Sequence, residues 1–204
     1  MANLKMWVAL GHRPVILTCK AKRGAGFDRD QLDEAMSHGL QIHTTESLDP
    51  YRILEAVRPT FQGAGEQTSA PTSRSSFGRI MHVLRHHILV PDDRVGWYPF
   101  AVRRASQILR EHPSIRAIYT TGYPQTSHLV GSTLRKHFSV RWLADFRDSW
   151  TQNPAFDHPA TSGNFLSRRL QFSMERTAIE RADEVVTVSP PITDYLQTLR
   201  PKNE

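Results

Sequence analysis

The sequence has a single cysteine, Cys19, no apolar run approaching the roughly 18 residues of a membrane-spanning helix, and no hydrophobic leader at its start. Each shortage excludes something. One thiol rules out an intrachain disulfide framework and makes a reducing compartment the simpler assumption. Cys19 has no activating neighbour in sequence and reads as a small buried strand residue. The opening MANLKMWVALGHRP has neither the apolar core nor the cleavage site of a secretory signal, so a cytoplasmic protein is expected, with access to the inner face of the membrane. Spaced metal-ligand sets are lacking too. His86 and His87 stand side by side, so neither a metal nor a cofactor is expected.

What is present is a chain of 204 residues, 39% hydrophobic, enough for one substantial core and one domain. The formal net charge of +6 and a pI near 9.8 favour anionic partners without choosing among nucleic acid, phosphorylated molecules and anionic membranes.

Helical spacing of Leu4, Trp7 and Val8 before Gly11 predicts an opening helix over Asn3 to Leu10. Strands follow at Pro14 to Cys19 and Leu40 to Thr44, separated by a basic loop and a helix over Asp28 to His38. A brief helix is expected over Pro50 to Arg58. The small and polar run Pro59 to Ser76 cannot bury enough apolar area to offset its ordering entropy and reads as a mobile loop. Two amphipathic helices come next, one presenting Ile80, Val83, Leu84, His87 and Ile88, the other Trp97, Ala101, Ala105, Ile108 and Leu109. Then strands at Ile115 to Thr121, Val140 to Phe146 and Glu184 to Ser189 alternate with helices at Gln125 to His137, Asn164 to Ala182 and from Pro190 onward. Apolar strands alternating with helices predict a Rossmann-like doubly wound parallel sheet covered on both faces. The chain opens on a helix, so the sheet's usual first strand is expected to be lacking.

Polar residues gather at three strand ends: TTGYPQTSH from Thr120, DFRDSWT from Asp145, and VSPP from Val188. In a parallel sheet these tips share one edge, where such folds collect their ligands. Helix starts beside that edge, at Gln125 and Pro191, would offer backbone donors to an anion. Asp145 and Asp148 flank Arg147, a pattern that suits two sugar hydroxyls or a guanidinium aimed at an anion; a local ion pair is the plainer alternative. His128 can face either the crevice or the core. Arg79, Arg85, Arg94, Arg103, Arg104 and Arg110 make the middle helices basic, a solvated face by default and a lipid or nucleic-acid contact in the sharper reading.

The runs YTTGYPQTSHLVG (Tyr119 to Gly131), WLADFRDSWTQN (Trp142 to Asn153), VPDDRVGW (Val90 to Trp97) and the ending ADEVVTVSPP resemble the amino-terminal, acceptor-binding domain of bacterial family 4 glycosyltransferases of the GT-B architecture. The closest pattern is D-F-R-D-P-W, with Ser149 standing where proline is usual. The resemblance implies an enzyme, a retaining, hexosyltransferase-like glycosyltransferase of polysaccharide biosynthesis. Its nucleotide-sugar donor would be held by a carboxyl-terminal domain and its acceptor would be a glycan or a lipid-linked glycan, with no nucleic acid among its partners. By the family pattern Thr121, Gly122 and His128 line the acceptor side, and Asp145, Arg147 and Asp148 contact the acceptor or shape the cleft. His128 and Asp145 are the first catalytic candidates, with Thr121, Gly122, Arg147 and Asp148 as substrate-binding residues. The resemblance also places a first strand and its glycine-rich loop before Asn3 and a donor domain after Ser189, so residues 1–204 are expected to be one domain truncated at both ends and inactive alone. Two other readings stand beside it: a non-catalytic module of the same fold binding a phosphorylated or glycan ligand, and a basic protein of membrane surfaces or nucleic acid.

Overall fold

A computed structural model of the chain describes residues 2–20, 40–48, 90–152 and 165–200. The helices expected at 28–38, 50–58 and 80–88 and the loop at 59–76 lie outside the described residues.

The first helix, α1 (Ala2–Ala9), stops where Gly11 takes a φ of +82°, which lets the Gly11 N–H reach Val8 O at 2.9 Å and the His12 N–H reach Trp7 O at 2.9 Å. This pairing satisfies two carbonyls that the last turn leaves open. β1 (Val15–Cys19) and β2 (Gln41–Thr45) then run parallel, with Val15 opposite Gln41. A single 3-10 turn at Val95–Trp97 leads into α2 (Tyr98–Glu111), whose first turn contains Pro99.

The second half alternates strand and helix: β3 (Ala117–Thr121), α3 (Thr126–His137), β4 (Arg141–Phe146), α4 (Phe165–Arg181), β5 (Glu184–Thr187) and α5 (Pro190–Leu199). β4 lies between β3 and β5, parallel to both, with Thr121 opposite Asp145 and Phe146 opposite Thr187. The fold is a Rossmann-like α/β arrangement in which every strand pairing among the described residues is parallel. Among the described residues the parallel strands fall in two groups, β1–β2 and β3–β4–β5, with no pairing between β1 and β3. Glu184 to Ser189 also gives less strand than its composition predicts: β5 ends at Thr187, and Ser189 is the extended residue that starts α5.

The period of two along the strands sorts the core. Trp142, Ala144 and Phe146 of β4 are completely buried on the face that α3, α4 and α5 cover. There α3 lies directly on the Trp142 indole, close enough that a Cβ added at Gly131 would sit 2.4 Å from the ring. The opposite face carries Tyr119, against which Trp7 of α1 packs edge-on at 4.8 Å. At the amino ends of the strands Asp183 accepts two bonds from the Arg135 guanidinium, at 2.8 and 3.0 Å, and one from the Trp142 N–H at 2.8 Å. That clamp ties α3, β4 and the start of β5 together, leaving the carboxyl ends as the edge where loops are free to build a site.

Candidate functional site

Two strand tips meet at the carboxyl edge. The Gly122 N–H donates to Asp145 O at 3.1 Å, extending the β3–β4 pairing one step past Thr121. The side chains of Tyr119, Thr121 and Asp145 share the face toward α1, and their polar atoms converge. Asp145 Oδ2 accepts from the Tyr119 hydroxyl in a short bond, from Thr121 Oγ1 at 3.3 Å and from Arg147 Nε at 3.3 Å. Asp145 is only 4% exposed, whereas Arg147 stands out into solvent. Three donors converge on this buried carboxylate and offset the cost of taking it out of water. The guanidinium beside it is held protonated more firmly still, first by its hydrogen bond to Asp145. Asp148 is half-buried in the bend that follows. The local Asp–Arg ion pair is therefore present, and it points one exposed cation at the edge.

His128 lies on the other face. It is completely buried, stacked on Phe146 with ring centroids 4.4 Å apart, and its Nδ1 is 2.9 Å from Thr120 Oγ1. Thr120 Oγ1 also accepts from Trp142 Nε1 at 2.9 Å. Trp142 can only donate, so Thr120 Oγ1 accepts on that side while its contact with Nδ1 holds the imidazole on the other. Burial pushes His128 down to about 4, with Asp145 opposing weakly, so the ring is neutral at pH 7. Among the described residues Nε2 has no hydrogen-bond partner, and neither does Gln125 Oε1. Both crowd the open side of Gly122, where an added Cβ would lie 3.1 and 2.8 Å from them. Of the residues expected from the sequence, Thr121, Gly122, Asp145 and Arg147 come together with Asp148 alongside. His128 faces the core beneath them instead of the crevice.

Sequence reasoning missed the supports. Tyr119 was readable only as a strand residue, although its spacing of two from Thr121 puts it on the Asp145 face. Asp92 is buried and takes the first-turn donor of α3: its carboxylate accepts from the Thr126 N–H at 2.8 Å, from Thr126 Oγ1 at 2.8 Å and from the Arg94 N–H at 2.8 Å. The α3 start that was expected to offer donors to an anion is thus already occupied by a carboxylate. A second buried acid, Glu175 of α4, accepts from the Trp150 N–H at 3.2 Å, Thr151 Oγ1 at 2.5 Å and the Tyr195 hydroxyl at 3.0 Å. Burial pushes both acids above the usual carboxylate range, with those hydrogen bonds pulling back. One turn before Glu175, Gln171 accepts from Trp150 Nε1 at 2.6 Å and donates to Pro91 O at 3.2 Å. The loop after β4 and the segment before α2 are therefore both fixed from α4.

A buried carboxylate ringed by hydroxyls, one exposed guanidinium and a capped helix start make an edge suited to a polyhydroxyl ligand. Among the described residues no cluster of three or more histidine, cysteine or acidic side chains is placed to hold a metal ion. The family model for the glycosyl transferase 4-like domain matches residues 3–204. The chain belongs to that family. A glycosyltransferase-type function follows, with a sugar donor and an acceptor as substrates in general terms. No curated protein and no solved structure matches the chain. Among the described residues of this glycosyltransferase-like domain, no helix is long and apolar enough to cross a membrane.

Proposed function

We propose that the chain is the acceptor-binding half of a retaining glycosyltransferase of GT-B architecture, taking a glycan or lipid-linked acceptor at the cytoplasmic face of the membrane. The observation that carries this reading is the Tyr119–Thr121–Asp145–Arg147 cluster at the β3–β4 tips, in a domain of glycosyltransferase type. Sugar hydroxyls both donate and accept, and this cluster supplies a hydroxyl, a carboxylate and a guanidinium across two neighbouring strand tips. Arg147 and Thr121 meet the acceptor, Asp145 orients both of them, and Asp148 closes the bend. His128 is a positioning residue that stiffens the edge through Thr120 and Phe146. In this reading a nucleotide-sugar donor is bound by a separate carboxyl-terminal domain, because the departing diphosphate needs charge that the β3–β4 edge does not supply.

Saturation-transfer NMR with a panel of oligosaccharides and nucleotide sugars tests the division of labour. The expected result is contact with an oligosaccharide that Arg147→Ala and Thr121→Val abolish, and no contact with nucleotide sugars. Nucleotide-sugar binding by this chain with indifference to those substitutions contradicts the reading. Oligosaccharide binding together with no sugar transfer, once a donor domain is joined, leaves a binding module of the same fold.

A further inference from the structure

A buried amide on α4 joins the two loops that build the candidate edge. Gln171 is completely buried; its Oε1 accepts from Trp150 Nε1 at 2.6 Å and its Nε2 donates to Pro91 O at 3.2 Å. An indole N–H only donates and a carbonyl only accepts, so the amide is fixed in that one orientation. Methionine would fill the same space without taking a polar group out of water, and a carboxylate could not donate to the carbonyl. What the amide adds is one bond in each direction, and with them a set spacing between two segments far apart in the chain.

Each segment leads to the edge. Trp150 follows Arg147 by three residues, and its N–H, with the N–H and Oγ1 of Thr151, is held by Glu175 one turn further along α4. Pro91 precedes Asp92, whose two carboxylate oxygens take the Arg94 N–H and the Thr126 N–H at 2.8 Å each. That holds the first turn of α3, four residues after Gly122. The Gly122 N–H and Asp145 O join the strand tips directly, but beyond the tips the two loops are joined through Trp150, Gln171, Pro91, Asp92 and Thr126. All five are buried, so water competes little for the bonds between them. A contiguous buried network of this kind is what carries energy between two sites.

We propose that Gln171 is a positioning residue of the acceptor edge, setting the loop after β4 against the start of α3. Arg147 and Asp148 on one side and the Gly122 turn on the other thereby keep one geometry, and loosening either loop loosens the other through this amide. The coupling stands without the acceptor-site reading; the statement that the coupled loops meet an acceptor rests on it.

Amide hydrogen exchange of the full 204-residue chain tests the coupling without a ligand. Gln171→Met removes both bonds and keeps the length. It is expected to speed exchange about tenfold or more at Arg94, Thr126, Trp150 and Thr151, and to leave the paired amides in the middle of β4 within about twofold. Asp92→Asn leaves one oxygen for two N–H donors. It should speed exchange at Trp150 and Thr151 as well as at Arg94 and Thr126, and add nothing at Trp150 and Thr151 when combined with Gln171→Met. Arg176→Ala, which removes the exposed pair with Glu180 on the same helix, leaves all four amides within about twofold. Amide-shift titrations with maltotriose, cellotriose and chitotriose read the consequence at the edge. Whichever of them the native chain binds should bind about tenfold more weakly to the Gln171→Met chain. Equal speeding at every amide by Gln171→Met means general destabilisation and overturns the proposal. So does Asp92→Asn without effect at Trp150 and Thr151, a result that needs no folded Gln171→Met chain, or unchanged affinity of the Gln171→Met chain. Binding of none of the three sugars by the native chain counts against the acceptor reading, and the exchange rates then decide the coupling alone.

Discussion

β1 is the more apolar of the two strands β1 and β4 in sequence, yet β4 buries far more. VILTC of β1 is half-buried at every position, although all of it except Thr18 is apolar or thiol. RWLADF of β4 has neighbours on both edges, and Trp142, Ala144 and Phe146 are completely buried. Composition alone therefore does not set how much a strand buries. A strand needs partners on both edges and a cover on its faces, and β4 has them, while among the described residues β1 pairs with β2 alone.

Removing the largest buried ring tests the contrast hardest. Trp142→Ala is expected to cost about 3–5 kcal/mol in urea unfolding, through lost packing and the orphaned Thr120 and His128. Leu17→Ala in β1 is expected to cost about 1–2 kcal/mol, since a half-buried side chain returns less surface to water. Equal costs would remove the distinction between the two pieces.

Acid sharpens the comparison, because His128 belongs to the well-buried half. Its folded value, lowered to about 4, lies below the ordinary histidine value of 6.5, so the unfolded chain binds the proton first as pH falls. The stability contributed by the neutral ring is complete above pH 6.5 and is lost progressively down to about pH 4, reaching about 3 kcal/mol. Asp92 and Glu175, raised instead of lowered, act in the opposite direction, so the comparison is made between the native chain and His128→Asn across that range. The native chain should lose more stability than the variant; parallel curves would mean that the ring is not buried as described.

Gly131→Ala should cost about 1–3 kcal/mol, because the added methyl meets the Trp142 ring and α3 must shift. The smallest change is at the sheet's far edge. Asp183→Asn weakens the Arg135 clamp, but both partners are partly exposed and water screens the pair, so thermal melting should report about 1 kcal/mol or less.

The parallel α/β order, the strand ends and the Asp145–Arg147 pair were legible because each leaves a local signature: β-branched runs, turn residues, charges two apart. Which strands pair among the described residues left none, since a strand's edges are not encoded in its own residues. Nor did the sequence assign faces at the site. Thr120 and Thr121 are neighbours, yet one holds His128 under the sheet and the other meets Asp145 on top. Asp92 reaches α3 with α2 and β3 intervening in sequence, and the polar stripe of Gln171 and Glu175 looks like a solvated helix face until the structure turns it inward. These supports depend on tertiary contact alone, which periodicity cannot report.

The central claim is that the β3 and β4 tips form the acceptor site. Amide chemical-shift mapping on the labelled chain, titrated with the oligosaccharide selected by saturation transfer, tests it most directly. The account predicts shifts concentrated at Thr121, Gly122, Arg147 and Asp148. Shifts concentrated instead at the cleft between α2 and α3, lined by Ser106, Arg110, Thr133 and His137, would contradict it.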